Sequence, residues 1–188
     1  EWLFGRAALK EAVRHWVHEQ TGHLLYPSDI VVQHDELGAP HVSGWWCEAL
    51  IAAPRVSLSH NANACLAAAG APDQPVGVDL EELGRIRQPE LMVESLAPQE
   101  RVLVDGLQGA ALDERILRLW CAKEAAAKCL GIGLQGKPSS FIVVATDSTC
   151  ENLVVQHESG TVEVQVARRD ASIVAVAGCE PSAIEFHQ

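Results

Sequence analysis

The chain has 188 residues, 48% of them hydrophobic, and a formal net charge of −11. That is enough apolar material for one compact domain, or for two small lobes sharing an interface, without covalent staples. The acidic balance excludes a nucleic-acid binder that works by bulk charge, and the longest apolar run, around residues 62–69, is far too short to span a bilayer.

No signal peptide opens the chain. It starts at Glu1 rather than Met, which reads as a piece of a longer polypeptide. Six cysteines stand at 47, 65, 121, 129, 150 and 179 with no C-x-x-C pair, which argues against zinc and for reduced, buried thiols in a cytoplasmic protein. In so acidic a chain a polyanionic ligand needs a local basic pocket, and a cluster of acids needs a metal.

Residues 2–20 place Leu3, Leu9, Val13, Trp16 and Val17 at helical spacing, with Gly22 as the stop. Arg6, Lys10 and Arg14, four apart, form one basic stripe on that helix. A strand is predicted over Ile30–Asp35, then a breaker at Gly38-Ala39-Pro40. Val56–His60 and Cys65–Ala69 read as strands around a polar turn, residues 70–75 as a linker, and Val76–Leu80 as a strand. The stretch from Pro89 to Leu130 is helical in character, with Pro98 at a start, Asp113 as an N-cap and Gly131 as the C-terminal stop. Strands follow at Phe141–Thr146, Leu153–His157, Val162–Ala167 and Ser172–Ala177. Helix then strands, twice over, predicts two α+β lobes, about 1–74 and 75–188. No sequence repeat links them.

Three short segments carry chemistry. In Val76-Gly77-Val78-Asp79-Leu80-Glu81, strand alternation sends the apolar residues one way and Gly77, Asp79 and Glu81 the other. Two carboxylates aimed at one point repel unless a cation sits between them, and a hard oxygen-binding ion such as Mg²⁺ answers that. Gly77 leaves room for a ligand or for close backbone approach. In Trp120-Cys121-Ala122-Lys123-Glu124-Ala125-Ala126-Ala127-Lys128, residues 120, 124 and 128 share a helix stripe, and the alanines keep that face thin. Ser57-Leu58-Ser59-His60 ends a strand with a phosphate-binding donor. Each segment alone is as readily an ordinary solvated or packed feature.

Together, S-x-S-H, then G-V-D-L-E, then W-x-x-K-E-A-x-x-K resembles the surfactin-type phosphopantetheinyl transferase family. Gly131-Ile132-Gly133-Leu134 and an early Gly5-Arg6 with Lys10 add to the likeness, which covers about residues 2–135. The resemblance implies two similar lobes with antiparallel sheets in a pseudo-twofold relation. It also implies transfer of the phosphopantetheine arm of coenzyme A to a serine of an acyl or peptidyl carrier protein, with release of 3′,5′-ADP.

Asp79, Glu81 and Glu124 would gather around Mg²⁺. Glu124 would activate the serine, and Lys128 would hold phosphate and assist the leaving group. His60, beside Ser59, would bind the 3′-phosphate with Arg6, and Lys10 and Lys123 would add positive charge. The family's G-K-P loop here reads Gly38-Ala39-Pro40, one basic contact fewer. The opening Glu1-Trp2-Leu3-Phe4-Gly5-Arg6 resembles transferase domains embedded in polyketide synthases, whose own carrier domain would then be the partner. A Mg²⁺-dependent phosphohydrolase and a non-catalytic carrier-docking lobe of a synthase stay open as other readings.

Overall fold

Trp2–Thr21 forms the first helix, α1, in a computed structural model that describes residues 2–85, 92–94, 96–178 and 183–187. Its stripe of Ala8, Leu9, Ala12, Val13, Trp16 and Val17 is buried, and Gly22 at φ +72° ends it with an N–H bond of 2.7 Å to the His18 carbonyl. Val31–His34 (β1) and Pro40–Ser43 (β2) pair antiparallel across a turn in which the Asp35 carboxylate accepts from the Leu37 and Ala39 amides. The hairpin, α1, Arg55–His60 (β3) and Cys65–Gly70 (β4) share the first core.

β4 is buried on both faces. Cys65, Ala67 and Ala69 meet α1, whereas Leu66 and Ala68 meet Val76, Val78 and Leu80 of Val76–Glu82 (β5). A strand of small residues with no polar face is what a strand between two layers requires.

The second unit is a long helix, Gly109–Cys129 (α2), packed on an antiparallel sheet of order β5-β9-β8-β7-β6. Its remaining strands are Ile142–Thr146 (β6), Asn152–His157 (β7), Gly160–Arg169 (β8) and Ser172–Gly178 (β9). The α+β class with antiparallel sheets therefore holds, one long helix packing on each of the two larger sheets. Gly131 at φ +72° closes α2, with the Ile132 amide bonding back to Ala127.

Three features differ from the sequence expectation. α2 begins at Gly109, with Gln108 as N-cap, and Pro98–Leu103 is a separate 3-10 turn. Asp113 is therefore inside the helix, and its carboxylate accepts the Gly84 amide at 2.9 Å instead of capping. β2 was not foreseen. A last strand, Ala183–His187 (β10), counted by position with the second lobe, pairs antiparallel with β4, so the first sheet has order β10-β4-β3. Pro89 and Cys179 lie outside the described residues. Among the described residues, no helix is long and apolar enough to cross a membrane.

Candidate active site

The site lies where the edge strands of the two sheets, β3 and β5, meet. Strand alternation puts Arg55, Ser57 and Ser59 on the β3 face that looks toward β5. Ser57 Oγ accepts the Val78 amide at 3.0 Å, and Ser59 Oγ donates to Asp79 Oδ1 at 2.9 Å. These two serines join the lobes. His60 has the opposite parity. It is exposed, next to the first turn of α1, where a Cβ on Gly5 would lie 3.6 Å from its ring.

Gly77 faces α2 so closely that a Cβ would run into the Ala125 carbonyl and the Cys129 amide. This contact fixes the distance between Asp79 on β5 and Glu124 and Lys128 on α2. Gly77→Ala is expected to destabilise by about 1–3 kcal/mol, the usual penalty for overpacking. A urea midpoint equal to wild type would show that α2 does not depend on this approach.

Lys128, in the last turn of α2, reaches across to β5. Its Nζ lies 2.8 Å from Asp79 Oδ1 and donates to the Val78 carbonyl at 3.0 Å. Asp79 is 4% exposed, and its second oxygen, Oδ2, is buried with no hydrogen-bond partner. A buried carboxylate oxygen without a donor is a costly feature.

The neighbouring acids respond to Asp79. Burial, and then the Asp79 charge, push the Glu81 carboxyl above the ordinary range, against the opposing ion pair with Arg85. Glu124 is raised by burial and then by Asp79, with Lys128 opposing and Glu81 adding. The Cys121 thiol, fully buried one turn before Glu124, is held well above its usual value by burial and by the charges of Asp79 and Glu81.

Three carboxylates thus share one locality with two cations, Lys128 and Arg85. Among the described residues, no group of three or more His, Cys, Asp and Glu side chains stands so that it could hold a metal ion by itself. The donor set suits a hard cation that completes its shell from ligand oxygens and water, the usual habit of Mg²⁺. The partnerless Asp79 Oδ2 is the oxygen such an ion would satisfy.

Asp79, Glu81, Glu124, Lys128 and Ser59 come together; His60, on the α1 side of β3, and three further candidates do not. Lys123 is on another face of α2, 1% exposed. Its Nζ lies 2.6 Å from Glu100 Oε2 in a buried ion pair, and burial lowers its pKa against the pull of Glu100. It is a structural strut with no access to a phosphate. Lys10 Nζ donates to the Pro27 carbonyl at 2.6 Å, and Arg6 Nη2 donates to the Val32 carbonyl at 2.9 Å. With Arg14 on the Leu25 carbonyl, the basic stripe of α1 fastens the segment that follows the helix.

Sequence reasoning gave no role to Arg85 or Cys121. Arg85 was detectable, four residues after Glu81 and just past Gly84. Cys121 was detectable by its helical offset of three from Glu124.

Beyond Arg55 and Val76 the seam between β3 and β5 opens into a groove of about 600 Å³, lined by residues of both lobes, including Ala39, Pro40, Arg55 and Lys128.

Comparison with known proteins gives a consistent picture. Residues 75–176, over half of the chain, match the family described as the 4′-phosphopantetheinyl transferase superfamily. The holo-[acyl-carrier-protein] synthase of Bacillus mycoides is 30% identical over 114 residues, covering 57% of this chain and 95% of that protein. The Campylobacter curvus enzyme of the same description is 34% identical over 73 residues, covering 39% of this chain and 64% of its own length. Among solved structures, a holo-(acyl-carrier-protein) synthase from Bacillus anthracis in complex with CoA (3′,5′-ADP) overlaps 57% of this chain and 96% of its own, at 26% identity and a TM-score of 0.47.

Proposed function

The chain belongs to the 4′-phosphopantetheinyl transferase superfamily, and from that footing we propose that it moves the phosphopantetheine arm of coenzyme A onto a serine of an acyl carrier protein. The observation that carries this reading is the acid cluster at the β3–β5 seam, with a buried carboxylate oxygen lacking a donor and a lysine from α2 beside it.

In the reaction, the carrier serine oxygen bonds to the phosphorus that bears the pantetheine arm. The bond from that phosphorus to the bridging oxygen breaks, and 3′,5′-ADP leaves. Asp79, Glu81 and Glu124 are the residues that would hold Mg²⁺, which when bound supplies a Lewis acid and a template for the diphosphate. Ser59 fixes one Asp79 oxygen, and the other is the one a cation would take. Glu124, within reach of the same cluster, takes the serine proton. Lys128 follows the charge that grows on the departing phosphate as a mobile point charge. His60, at the end of β3, binds a phosphate of coenzyme A from the α1 side. The surfactin-type motif order and the opening segment favour a domain that serves a polyketide synthase carrier.

The test is to incubate the protein with coenzyme A, Mg²⁺ and apo-carrier and to weigh the carrier. A mass gain equal to the arm is expected. Nucleotide release with no gain on several carriers would support a phosphohydrolase instead. Glu124→Gln is expected to reduce transfer by about 10²–10⁴-fold, the usual worth of a general base, while coenzyme A binding stays measurable. Wild-type transfer in that variant would remove Glu124 from the chemistry.

A further inference from the structure

β5 meets α2 closely near its start and again just past its end. Near the start, Gly77 lies against the Ala125 carbonyl and the Cys129 amide. Past the end, the Gly84 amide donates to Asp113 Oδ2 at 2.9 Å, across 29 residues of chain. Asp79 and Glu81 stand on β5 between these two contacts, and Glu124 stands between them on α2. The first contact sets the distance between the two elements. The second sets the direction in which the chain leaves Glu81.

That exit is a tight turn. The Leu83 amide bonds to the Ala171 carbonyl at 2.8 Å, the Arg85 amide bonds to the Glu82 carbonyl at 3.3 Å, and Gly84 has φ +78°. From the other lobe, Asn63 Nδ2 lies 3.3 Å from both carboxylate oxygens of Glu82. Stability alone explains Asp113 poorly. Its second oxygen, Oδ1, is buried with no hydrogen-bond partner, so a carboxylate with one unmatched oxygen is kept for a single exposed amide that water could satisfy. Alignment is the better reason, because a displacement of about 1 Å at a reacting centre can cost about a hundredfold.

We propose that Asp113 is a positioning residue for the metal site: by holding the Gly84 amide it keeps the end of β5, and with it Glu81, turned toward Asp79 and Glu124. Asp113 acts through its hydrogen bond and not through its charge. The proposal rests on the transferase reading, in which those three acids hold Mg²⁺.

The experiment measures Mn²⁺ affinity by EPR in the wild-type protein, Asp113→Ala and Asp113→Asn, together with the Mg²⁺ dependence of transfer and the KM for apo-carrier. Alanine is the best helix former, so Asp113→Ala leaves α2 intact. The expected result is about a tenfold loss of Mn²⁺ affinity in Asp113→Ala, the lower end of what partners that orient metal ligands contribute. The Mg²⁺ concentration for half-maximal transfer should rise by a similar factor, with the carrier KM unchanged. Asp113→Asn keeps an amide oxygen for the Gly84 N–H and should bind Mn²⁺ within about twofold of wild type.

Wild-type Mn²⁺ affinity in Asp113→Ala, even beside a lower melting temperature, would make the bond purely structural and overturn the assignment. Mn²⁺ binding as weak in Asp113→Asn as in Asp113→Ala would also overturn it, because the lost charge would then be the cause. Both results leave the transferase reading intact. A wild-type protein that binds neither Mn²⁺ nor Mg²⁺ would overturn the transferase reading and this assignment with it.

Discussion

Asp79→Asn is expected to abolish transfer, by about 10²–10³-fold or more, the scale seen when one preorganised charge-stabilising group is removed. The substitution is nearly isosteric. Its amide oxygen still accepts from Ser59 and Lys128, so the seam between the lobes should hold. What disappears is the negative charge on a buried oxygen that has no protein donor.

Two further readouts separate this from simple damage. Binding of an ion to the folded state alone raises stability by about 2.7 kcal/mol at a hundredfold excess over Kd. Mg²⁺ should therefore raise the melting temperature of the wild type and not of Asp79→Asn. The Asp79 charge is also one of the causes that raise Glu81 and Glu124. Without Mg²⁺, removing a neighbouring negative charge lowers the pKa of both, so the carboxyl titrations of Glu81 and Glu124, followed by NMR, should move to lower pH in Asp79→Asn. Near-normal transfer together with an unchanged Mg²⁺ response would take the acid cluster out of the reaction.

The largest stability effect is expected at Lys123. Its partner Glu100 is wholly buried and already accepts the Ala97 and Val143 amides, at 2.7 and 2.8 Å. Lys123→Met leaves a buried carboxylate with two amide donors and no counter-charge, and should cost about 3–5 kcal/mol. The urea midpoint should fall with an unchanged slope. The double variant Lys123→Met/Glu100→Gln should be more stable than Lys123→Met, because the uncompensated charge is gone. If Lys123→Met matched wild type, or if adding Glu100→Gln made matters worse, the pair would not be the strut that ties α2 to β6 and the 3-10 turn. Loss of coenzyme A affinity at full stability would return Lys123 to the binding role that its place in the motif suggests.

Legibility in the sequence followed the range of the interactions. The alternation of Val76, Val78 and Leu80 with Gly77, Asp79 and Glu81 is a period-2 signal, and the structure divides the two sets between the inter-sheet core and the α2 face. The stop at Gly131 is local and was equally readable.

The motif taken as a line of letters misleads at Lys123. One residue along a helix turns about 100°, so a neighbour of Glu124 in sequence cannot share its face, whereas Lys128 at four residues can. Asp113 carries a good cap side chain, but Gln108 and Gly109 start the helix one turn earlier. The α1 stripe was visible as charge, and Arg14 does pair with Glu11, yet Arg6, Lys10 and Arg14 each also donate to a carbonyl of the next segment, which no charge pattern encodes. β10 was out of reach because its pairing with β4 spans most of the chain.

That return of β10 makes the two halves topologically inseparable. Residues 1–74 expressed alone would leave one long side of β4 bare, a row of unpaired amides and carbonyls that invites sticking to other chains. Residues 75–188 alone would end in a strand with no sheet to join. The sheet of the first half is therefore completed by a strand of the second, and each half needs the other to close its hydrogen bonding.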